Sequence, residues 1–333
     1  MTAVKRNHHW PRWPQVANRN RLLERLAAVV DSGLWTLRVN PAASLAREVE
    51  REICRLSGRR HCVLVNSGTT AVELAAAAVG AGPGPEVIVP ALGWHATAEA
   101  VRRTGAVVRF ADIDRQTSCI APEAVAAAIT ERTVAIIAVH LHCAIADMEA
   151  LAELAGRAGV ALIEDAAQAH GASSQRGPVG SLGTIGCFSF NQEKLLPAGE
   201  GGAVVTDDPT LHSRVYAMRT DGYRECLDGR LVPDGQTPGH NAALSEFQAA
   251  VLLDQLEVFR SRQQLRDVHA YELEQRLTQF DEVRVLSSSP DTVVRSYYEF
   301  GIILPFVKSL RGMEEFANLI EAGTGIRLRP TDR

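Results

Sequence analysis

The chain has 333 residues, of which 46% are hydrophobic and 22% charged, and its formal net charge at pH 7 is −4. This charge and the absence of an arginine block argue against nucleic acid as the main partner. No apolar run approaches the roughly 20 residues of a membrane span. The start of the chain, Met1 to Pro14, lacks the apolar middle region of a signal peptide, so we expect a cytoplasmic protein.

Short strands rich in valine and isoleucine alternate with amphipathic helices through the first two thirds of the chain. This alternation is typical of βαβ units on a buried, mainly parallel sheet, so we predict an α/β fold. We predict strands at 86–90, 106–110, 134–139, 160–163, 184–190 and 202–206, and helices at 71–79, 97–104, 122–129 and 148–158.

The pattern becomes long and helical from 245 to about 279, and a smaller α+β segment ends the chain. We therefore predict a large domain at 1–255 and a small domain at 256–333, with the boundary inside the long helix near Gln255. The six cysteines form no C-x-x-C pair, which predicts reduced, mostly buried thiols.

Only three of the 35 basic residues are lysines: Lys5, Lys194 and Lys308. Lys194 ends the segment Ser-Phe-Asn-Gln-Glu-Lys at 189–194, and Gly-Glu-Gly-Gly follows at 199–202. A lysine amine can be deprotonated and attack a carbonyl, whereas an arginine guanidinium stays protonated. The segment therefore indicates a lysine that forms an imine, although a surface lysine in a loop is the simpler alternative.

Three further segments suggest parts of a binding site. Asn-Ser-Gly-Thr-Thr at 66–70 precedes a helix whose free N–H groups and dipole favour an anion, although serine or threonine there is also an ordinary helix cap. Asp165 ends an apolar strand, where ligands of open α/β sheets bind, or it caps the next helical turn. Trp94 follows the strand that ends at Pro90 and offers a flat surface to a ring, or it belongs to the core or rim.

Taken together, these segments match the needs of pyridoxal phosphate (PLP). The lysine forms the imine, and the carboxylate keeps the pyridine nitrogen protonated, so that the ring accepts electrons from the substrate carbon. The aromatic ring stacks on the pyridine, and the helix start anchors the phosphate.

The chain resembles the PLP-dependent sugar and cyclitol aminotransferases of the DegT/StrS type, which have the fold-type-I architecture. The resemblance runs from about Trp10 to Arg333 and rests on the segments 67–69, 90–94, 164–171, 188–194 and 199–202. It implies a homodimer with shared active sites. It also implies that Lys194 carries the cofactor and acts in catalysis, and that the cofactor is bound by Gly68, Thr69, Trp94, Asp165, Gln168, Ser189 and, from the neighbouring subunit, Asn241.

Three departures from the family pattern stand out. Asn241-Ala242-Ala243 replaces the usual Asn-x-Arg, and Cys143 replaces a common glycine. The chain also stops at Arg333, where relatives usually continue, so we expect a shortened small domain, a more open cleft, retained cofactor binding and weak turnover.

Two other patterns carry less weight. Gly-Ala-Gly-Pro-Gly at 80–84 imitates a dinucleotide fingerprint but follows a helix and contains a proline, so it reads as a helix stop. His140 and His142 would share one face of a strand, but two histidines without a third ligand make a poor metal site, and packing or a cleft rim is the better interpretation.

The resemblance also bears on the substrates. Asn-Gln-Glu-Lys-Leu-Leu at 191–196 and the opening Trp10-Pro11-x-Trp13 are similar to the branch that acts on inososes or makes 3-amino-5-hydroxybenzoate, although Pro197 departs from the usual threonine. We therefore expect an amino group to move from an amino acid, L-glutamine by resemblance, to a ketone on a cyclitol or sugar in antibiotic biosynthesis. The alternatives are a nucleotide-keto-sugar aminotransferase, a PLP-dependent dehydratase, against which Lys194 counts, and a catalytically silent subunit or scaffold.

Overall fold

The computed structural model describes residues 13–36, 44–226, 230–324 and 328. The tail that carries Lys5, Trp10 and Pro11 and the chain end at Arg333 lie outside these residues. Within the described ranges, no helix is long and apolar enough to cross a membrane.

The strands are β1 (His61–Val65), β2 (Glu86–Pro90), β3 (Val107–Ala111), β4 (Thr133–Val139), β5 (Ala161–Asp165), β6 (Ser173–Ser174), β7 (Gly177–Pro178), β8 (Ile185–Ser189), β9 (Gly202–Thr206), β10 (Tyr223–Glu225), β11 (Leu231–Pro233), β12 (Arg284–Val285), β13 (Thr292–Val294) and β14 (Ile302–Ile303). Six of them, β2, β3, β4, β5, β8 and β9, lie close to their predicted positions, with ends that differ by at most two residues, and the other strands were not predicted.

The helices are α1 (Arg19–Ser32), α2 (Leu45–Ser57), α3 (Gly68–Ala78), α4 (Ala96–Arg103), α5 (Pro122–Ala128), α6 (Met148–Ala158), α7 (Pro209–Arg219), α8 (Glu246–Leu277) and α9 (Leu310–Thr324). Local chemistry sets several of their ends. The Asp147 side chain caps α6 by accepting the N–H of Ala150, and Gly159 ends that helix in the left-handed region. A capping box of Ser245 and Gln248 begins α8.

The core is a seven-stranded sheet in the order β1-β9-β8-β5-β4-β2-β3. Strand β9 pairs antiparallel with β1 and β8, and all other neighbours pair parallel. Strands β2, β8 and β9 are buried along their whole length, as expected for a sheet covered by helices on both faces. The predicted α/β, fold-type-I class is confirmed.

The part of the chain that follows α8 contacts segments around the seven-stranded sheet. Strand β13 pairs with β6, which follows β5, and the backbone N–H of Ser287 donates to the carbonyl oxygen of Gln116 at 2.8 Å. Gln255 lies inside the continuous helix α8. The division into domains at 1–255 and 256–333 stays a prediction.

The cysteines match the expected pattern. All six are free thiols, and Cys62, Cys119, Cys143 and Cys187 are buried. Cys143 packs in the core, and burial raises the pKa of its thiol.

Candidate active site

Six strands of the central sheet end at one edge, because all strands of this sheet except β9 run in the same direction. The segments that follow them carry most of the predicted site residues. Ser67 follows β1, Trp94 follows β2 and His140 follows β4, while Asp165 and Ser189 are the last residues of β5 and β8. The fold therefore places these residues along a single edge of the sheet.

Lys194 lies in the loop between β8 and β9, with its backbone N–H donating to the carbonyl oxygen of Asn191 at 2.9 Å. Its Nζ atom lies 4.4 Å from the centre of the Tyr298 ring. Burial lowers the pKa of the Lys194 amine, and it outweighs the nearby carboxylates of Asp165, Glu299 and Glu193, which raise it. A larger fraction of this amine is therefore neutral, and so nucleophilic, than for an exposed lysine at the same pH.

Asp165 is only 7% exposed, and hydrogen bonds hold both of its carboxylate oxygens. The Thr97 hydroxyl donates to Oδ2 at 2.8 Å, and the backbone N–H of Ala167 donates to Oδ1 at 3.2 Å. One donor on each oxygen fixes the orientation of this carboxylate. Asp165 therefore lies at the sheet edge, where its carboxylate can pair with a protonated ring nitrogen.

Trp94 is 68% exposed, so the alternative that it is a core residue is wrong. It lies on the segment between β2 and α4, where its ring centre is 4.6 Å from that of His95. An exposed indole face next to the sheet edge is available to stack on a flat ring.

Helix α3 begins at Gly68, directly beside Ser189 at the end of β8. The Ser67 hydroxyl accepts the N–H of Thr70 at 3.1 Å, so the alternative cap function is present. A Cβ on Gly68 would lie 2.6 Å from the Cβ of Ser189, so only glycine allows the two segments to approach this closely. The N–H groups of the first helical turn, including Thr69, and the Ser189 hydroxyl thus form a cradle suited to a phosphate.

The Gly-Glu-Gly-Gly segment after Lys194 has a steric explanation. A Cβ on Gly202 would lie 2.4 Å from the carbonyl oxygen of Ser67, and Gly201 has a φ of +153°. The glycines let the start of β9 run directly against the turn that opens α3. The motif therefore flanks the lysine and also allows the close packing of β9 against the turn that forms the phosphate cradle.

Gln168 borders the site through the loop after β4. Its Oε1 atom accepts the backbone N–H of His142 at 2.6 Å, and His142 Nδ1 lies 2.6 Å from Glu299 Oε2. His142 has a φ of +59°, a left-handed conformation that is strained for a non-glycine residue. His142 thus lies on the rim and joins the sheet edge to the last part of the chain.

The prediction that His140 and His142 share a strand face is wrong, because β4 ends at Val139. The alternative of packing is confirmed for His140, which is fully buried with Nε2 3.2 Å from Glu164 Oε2. Its Nδ1 atom accepts the N–H of Ala146, so Nε2 carries the proton toward Glu164.

Asn241 is set apart from this group. Its backbone bridges to Thr220, its side chain is exposed, and the next residue, Ala242, accepts the N–H of Asn66 at 2.8 Å. The described hydrogen bonds do not join its side chain to the other site residues, and its cofactor role in a neighbouring subunit stays a prediction.

The structure adds residues that the sequence analysis did not select. Thr97 lies one helical turn after Trp94, so its position in the 94–97 turn was a usable signal. No sequence signal pointed to Tyr298 and Glu299, because they lie more than 100 residues after Lys194 in the chain. His170 lies in the segment 164–171, and the resemblance assigns it no role. Burial, and then the positive charge of Lys194, lower the pKa of its imidazole to about 3, so it is neutral beside the amine.

A groove of about 440 Å³ lies at the opposite, amino end of β1. Among its arginines, Arg47 pairs with Glu50 and Glu225, and Arg60 pairs with Asp207. It contains no predicted site residue, so the chemistry belongs to the sheet edge. The groove is lined by Arg47, Glu50, Arg51, Cys54, Arg55, Arg60, His61, Cys62 and His212.

Known proteins are similar to this chain along most of its length. The model of the DegT/DnrJ/EryC1/StrS aminotransferase family matches residues 17–328. The chain is 41% identical to the L-glutamine:scyllo-inosose aminotransferase of Streptomyces griseus, covering 98% of this chain and 78% of that protein. It is 40% identical to the L-glutamine:2-deoxy-scyllo-inosose aminotransferase of Streptomyces lividus, covering 99% and 79%. The crystal structure of 3-amino-5-hydroxybenzoic acid synthase superposes with a TM-score of 0.85 at 36% identity, covering 94% of this chain and 80% of that one.

Proposed function

Since the chain belongs to the DegT/DnrJ/EryC1/StrS aminotransferase family, it is an aminotransferase that uses pyridoxal phosphate, and we propose that it transfers the amino group of L-glutamine to a ketone on a cyclitol. The observation that carries this proposal is the desolvated amine of Lys194 on the same sheet edge as the buried Asp165 carboxylate.

The residues at the sheet edge fit the cofactor. Lys194 would hold it covalently, Asp165 would pair with its ring nitrogen, and Trp94 would cover its ring, with Gln168 beside it. The cradle of Gly68, Thr69 and Ser189 would bind its phosphate, since a side chain at Gly68 would close that space. When bound, pyridoxal phosphate supplies an electron sink that stabilises negative charge on the substrate carbon.

The chain itself moves the proton. We assign Lys194 Nζ the role of general base that takes the proton from the α carbon of the amino donor. The same atom later delivers a proton to the acceptor carbon that becomes the amine carbon. The lowered pKa of Lys194 favours the first step, because it increases the fraction of the amine that is unprotonated and able to accept a proton. The Tyr298 ring packs against this atom, and the neutral His170 adds no second positive charge near it.

Two observations support a cyclitol acceptor. The two relatives named above act, by their names, on scyllo-inosose and 2-deoxy-scyllo-inosose with L-glutamine. The segment at 191–196 is similar to that branch rather than to relatives that act on nucleotide sugars. We therefore place the reaction in the biosynthesis of an aminocyclitol-containing antibiotic.

The test is a substrate panel with the PLP-loaded protein. Scyllo-inosose, 2-deoxy-scyllo-inosose and a nucleotide-linked keto-sugar would each be offered with glutamine and with glutamate, and the amine product detected by mass spectrometry. We expect product from an inosose with glutamine. Product from the nucleotide-linked ketone alone would favour the alternative acceptor, and no product from any pair would favour a subunit or scaffold role.

We further propose a homodimer with shared active sites. The exposed side chain of Asn241, which the family pattern assigns to the phosphate of the neighbouring subunit, supports this arrangement. The backbone of the next residue, Ala242, accepts the N–H of Asn66 and so holds this segment in its own chain, while the Asn241 side chain stays exposed. Two copies that each lend Asn241 to the other would complete both sites.

A further inference from the structure

We propose that Thr97 is a positioning residue that fixes the orientation of the Asp165 carboxylate and thereby raises the affinity of the protein for pyridoxal phosphate. This rests on the proposed role of Asp165. The two side chains come from segments 68 residues apart, and both are buried, at 7% exposure each. Their hydrogen bond, 2.8 Å between Oγ1 and Oδ2, is therefore shielded from water.

The direction of the hydrogen bond follows from the chemistry of the groups. An ionised carboxylate only accepts, so the single hydroxyl proton of Thr97 points to Oδ2. The N–H of Ala167 binds the other oxygen at 3.2 Å. One donor on each oxygen fixes the plane of the carboxylate.

Thr97 also connects Asp165 to the residue proposed to cover the ring. Its backbone N–H donates to the carbonyl oxygen of Trp94 at 3.1 Å, which closes the turn that opens α4. One residue thus holds the turn of Trp94 through its backbone and the carboxylate of Asp165 through its side chain. A change at Thr97 that removes only the hydroxyl separates these two functions.

The test measures the dissociation constant of pyridoxal phosphate for the apo-protein, and the pH dependence of the absorbance of the bound cofactor. Thr97→Val keeps the shape and removes the hydroxyl, and we expect about 10-fold weaker binding, the scale of one hydrogen bond to a charged group. Thr97→Ser keeps the donor and should bind within about 2-fold of the wild type. Thr97→Ala also lacks the donor and should weaken binding like Thr97→Val if the valine variant does not fold.

The matched control is Thr206→Val. Thr206 is buried at the other end of β9, where its hydroxyl donates to the carbonyl oxygen of Thr184 at 3.1 Å. This variant loses a buried hydroxyl away from the site, so its thermal stability should fall while its affinity for pyridoxal phosphate stays that of the wild type.

A double-mutant cycle decides whether Thr97 acts through Asp165. In an Asp165→Asn background the Thr97→Val change should alter the dissociation constant by less than about 2-fold, because the charged acceptor is gone. Wild-type affinity in both Thr97→Val and Thr97→Ala, failure of serine to restore binding, or an undiminished effect in the Asp165→Asn background would each overturn the inference. Unchanged affinity in Asp165→Asn alone would instead overturn the proposed role of Asp165.

Discussion

The Nζ atom of Lys194 lies 4.4 Å from the centre of the Tyr298 ring, within the range of a cation–π contact. The lysine comes from a loop of the central sheet, and the tyrosine comes from the last part of the chain. Ser296 adds a second connection, since its hydroxyl donates to the carbonyl oxygen of His170 at 2.7 Å. The segment 296–298 therefore forms one wall of the site.

The first prediction concerns the identity of the reactive amine. Borohydride treatment of the protein with pyridoxal phosphate should attach a pyridoxyl group to Lys194, found by peptide mass spectrometry. Because burial lowers the pKa of this amine, attachment should extend to lower pH than for lysine in a short peptide. Lys194→Ala and Lys194→Arg should each reduce transamination by about 1000-fold or more.

Lys308→Arg is the control for that experiment, since Lys308 is exposed and distant in sequence. It should leave both labelling and turnover unchanged. Attachment to Lys5 or Lys308, with Lys194 unmodified, would contradict the assignment.

A second prediction concerns stability in mild acid. The pKa of His170 is about 3 in the folded chain, against about 6.5 when exposed. Between these values the unfolded chain binds a proton that the folded chain does not, so the free energy of unfolding falls as the pH falls. From pH 7 to pH 5 this single group accounts for about 2 kcal/mol. Between pH 7 and pH 5, the free energy of unfolding of His170→Gln, measured by urea denaturation, should therefore fall by about 2 kcal/mol less than that of the wild type.

The exposed His269 provides the comparison. His269→Gln should lose stability between pH 7 and pH 5 as the wild type does. An equal loss in His170→Gln would show that His170 does not stay neutral in the folded protein.

The third prediction tests the close approach at the phosphate cradle. Gly202→Ala places a Cβ 2.4 Å from the carbonyl oxygen of Ser67, so the start of α3 must shift. We expect a loss of about 2–3 kcal/mol in the free energy of unfolding, and weaker binding of pyridoxal phosphate. Gly82→Ala has no atom within 4 Å of its new Cβ and should change stability by less than about 0.5 kcal/mol. Equal stabilities of the two variants would refute this steric explanation.

The fourth prediction concerns the partner subunit. Asn241→Ala should release pyridoxal phosphate faster than the wild type during dialysis, with an unchanged melting temperature of the apo-protein. Asn318→Ala, at another exposed position, should release it at the wild-type rate. Sedimentation should find a dimer, and a monomer with full transaminase activity would rule out the shared site.

The sequence predicted the central sheet well because its strands carry their own signal. A buried parallel strand such as β2 is apolar along its whole length, so its position can be read without knowledge of its neighbours. The placement of Asp165 followed in the same way, since it ends such a strand. The residues of the sheet edge were therefore accessible from local pattern and motif.

Contacts between distant segments were not accessible. The Thr97–Asp165 and His142–Glu299 pairs depend on which strands are neighbours and on how the last part of the chain returns. His142 shows the limit of periodicity as well, because β4 ends at Val139, three residues before His142, and the backbone of His142 lies in the left-handed region.

Helix α8 has a mechanical consequence. Its 32 residues span about 48 Å without a break, and Gln255 lies within its first three turns. Bending there would rupture backbone hydrogen bonds in a buried stretch that includes Leu252 and Leu253. The helix therefore resists bending along its length. A hinge that moves the wall carrying Tyr298 must lie beyond Leu277. Sequence changes that alter how readily substrates enter should accordingly cluster between Thr278 and Arg295 rather than around Gln255.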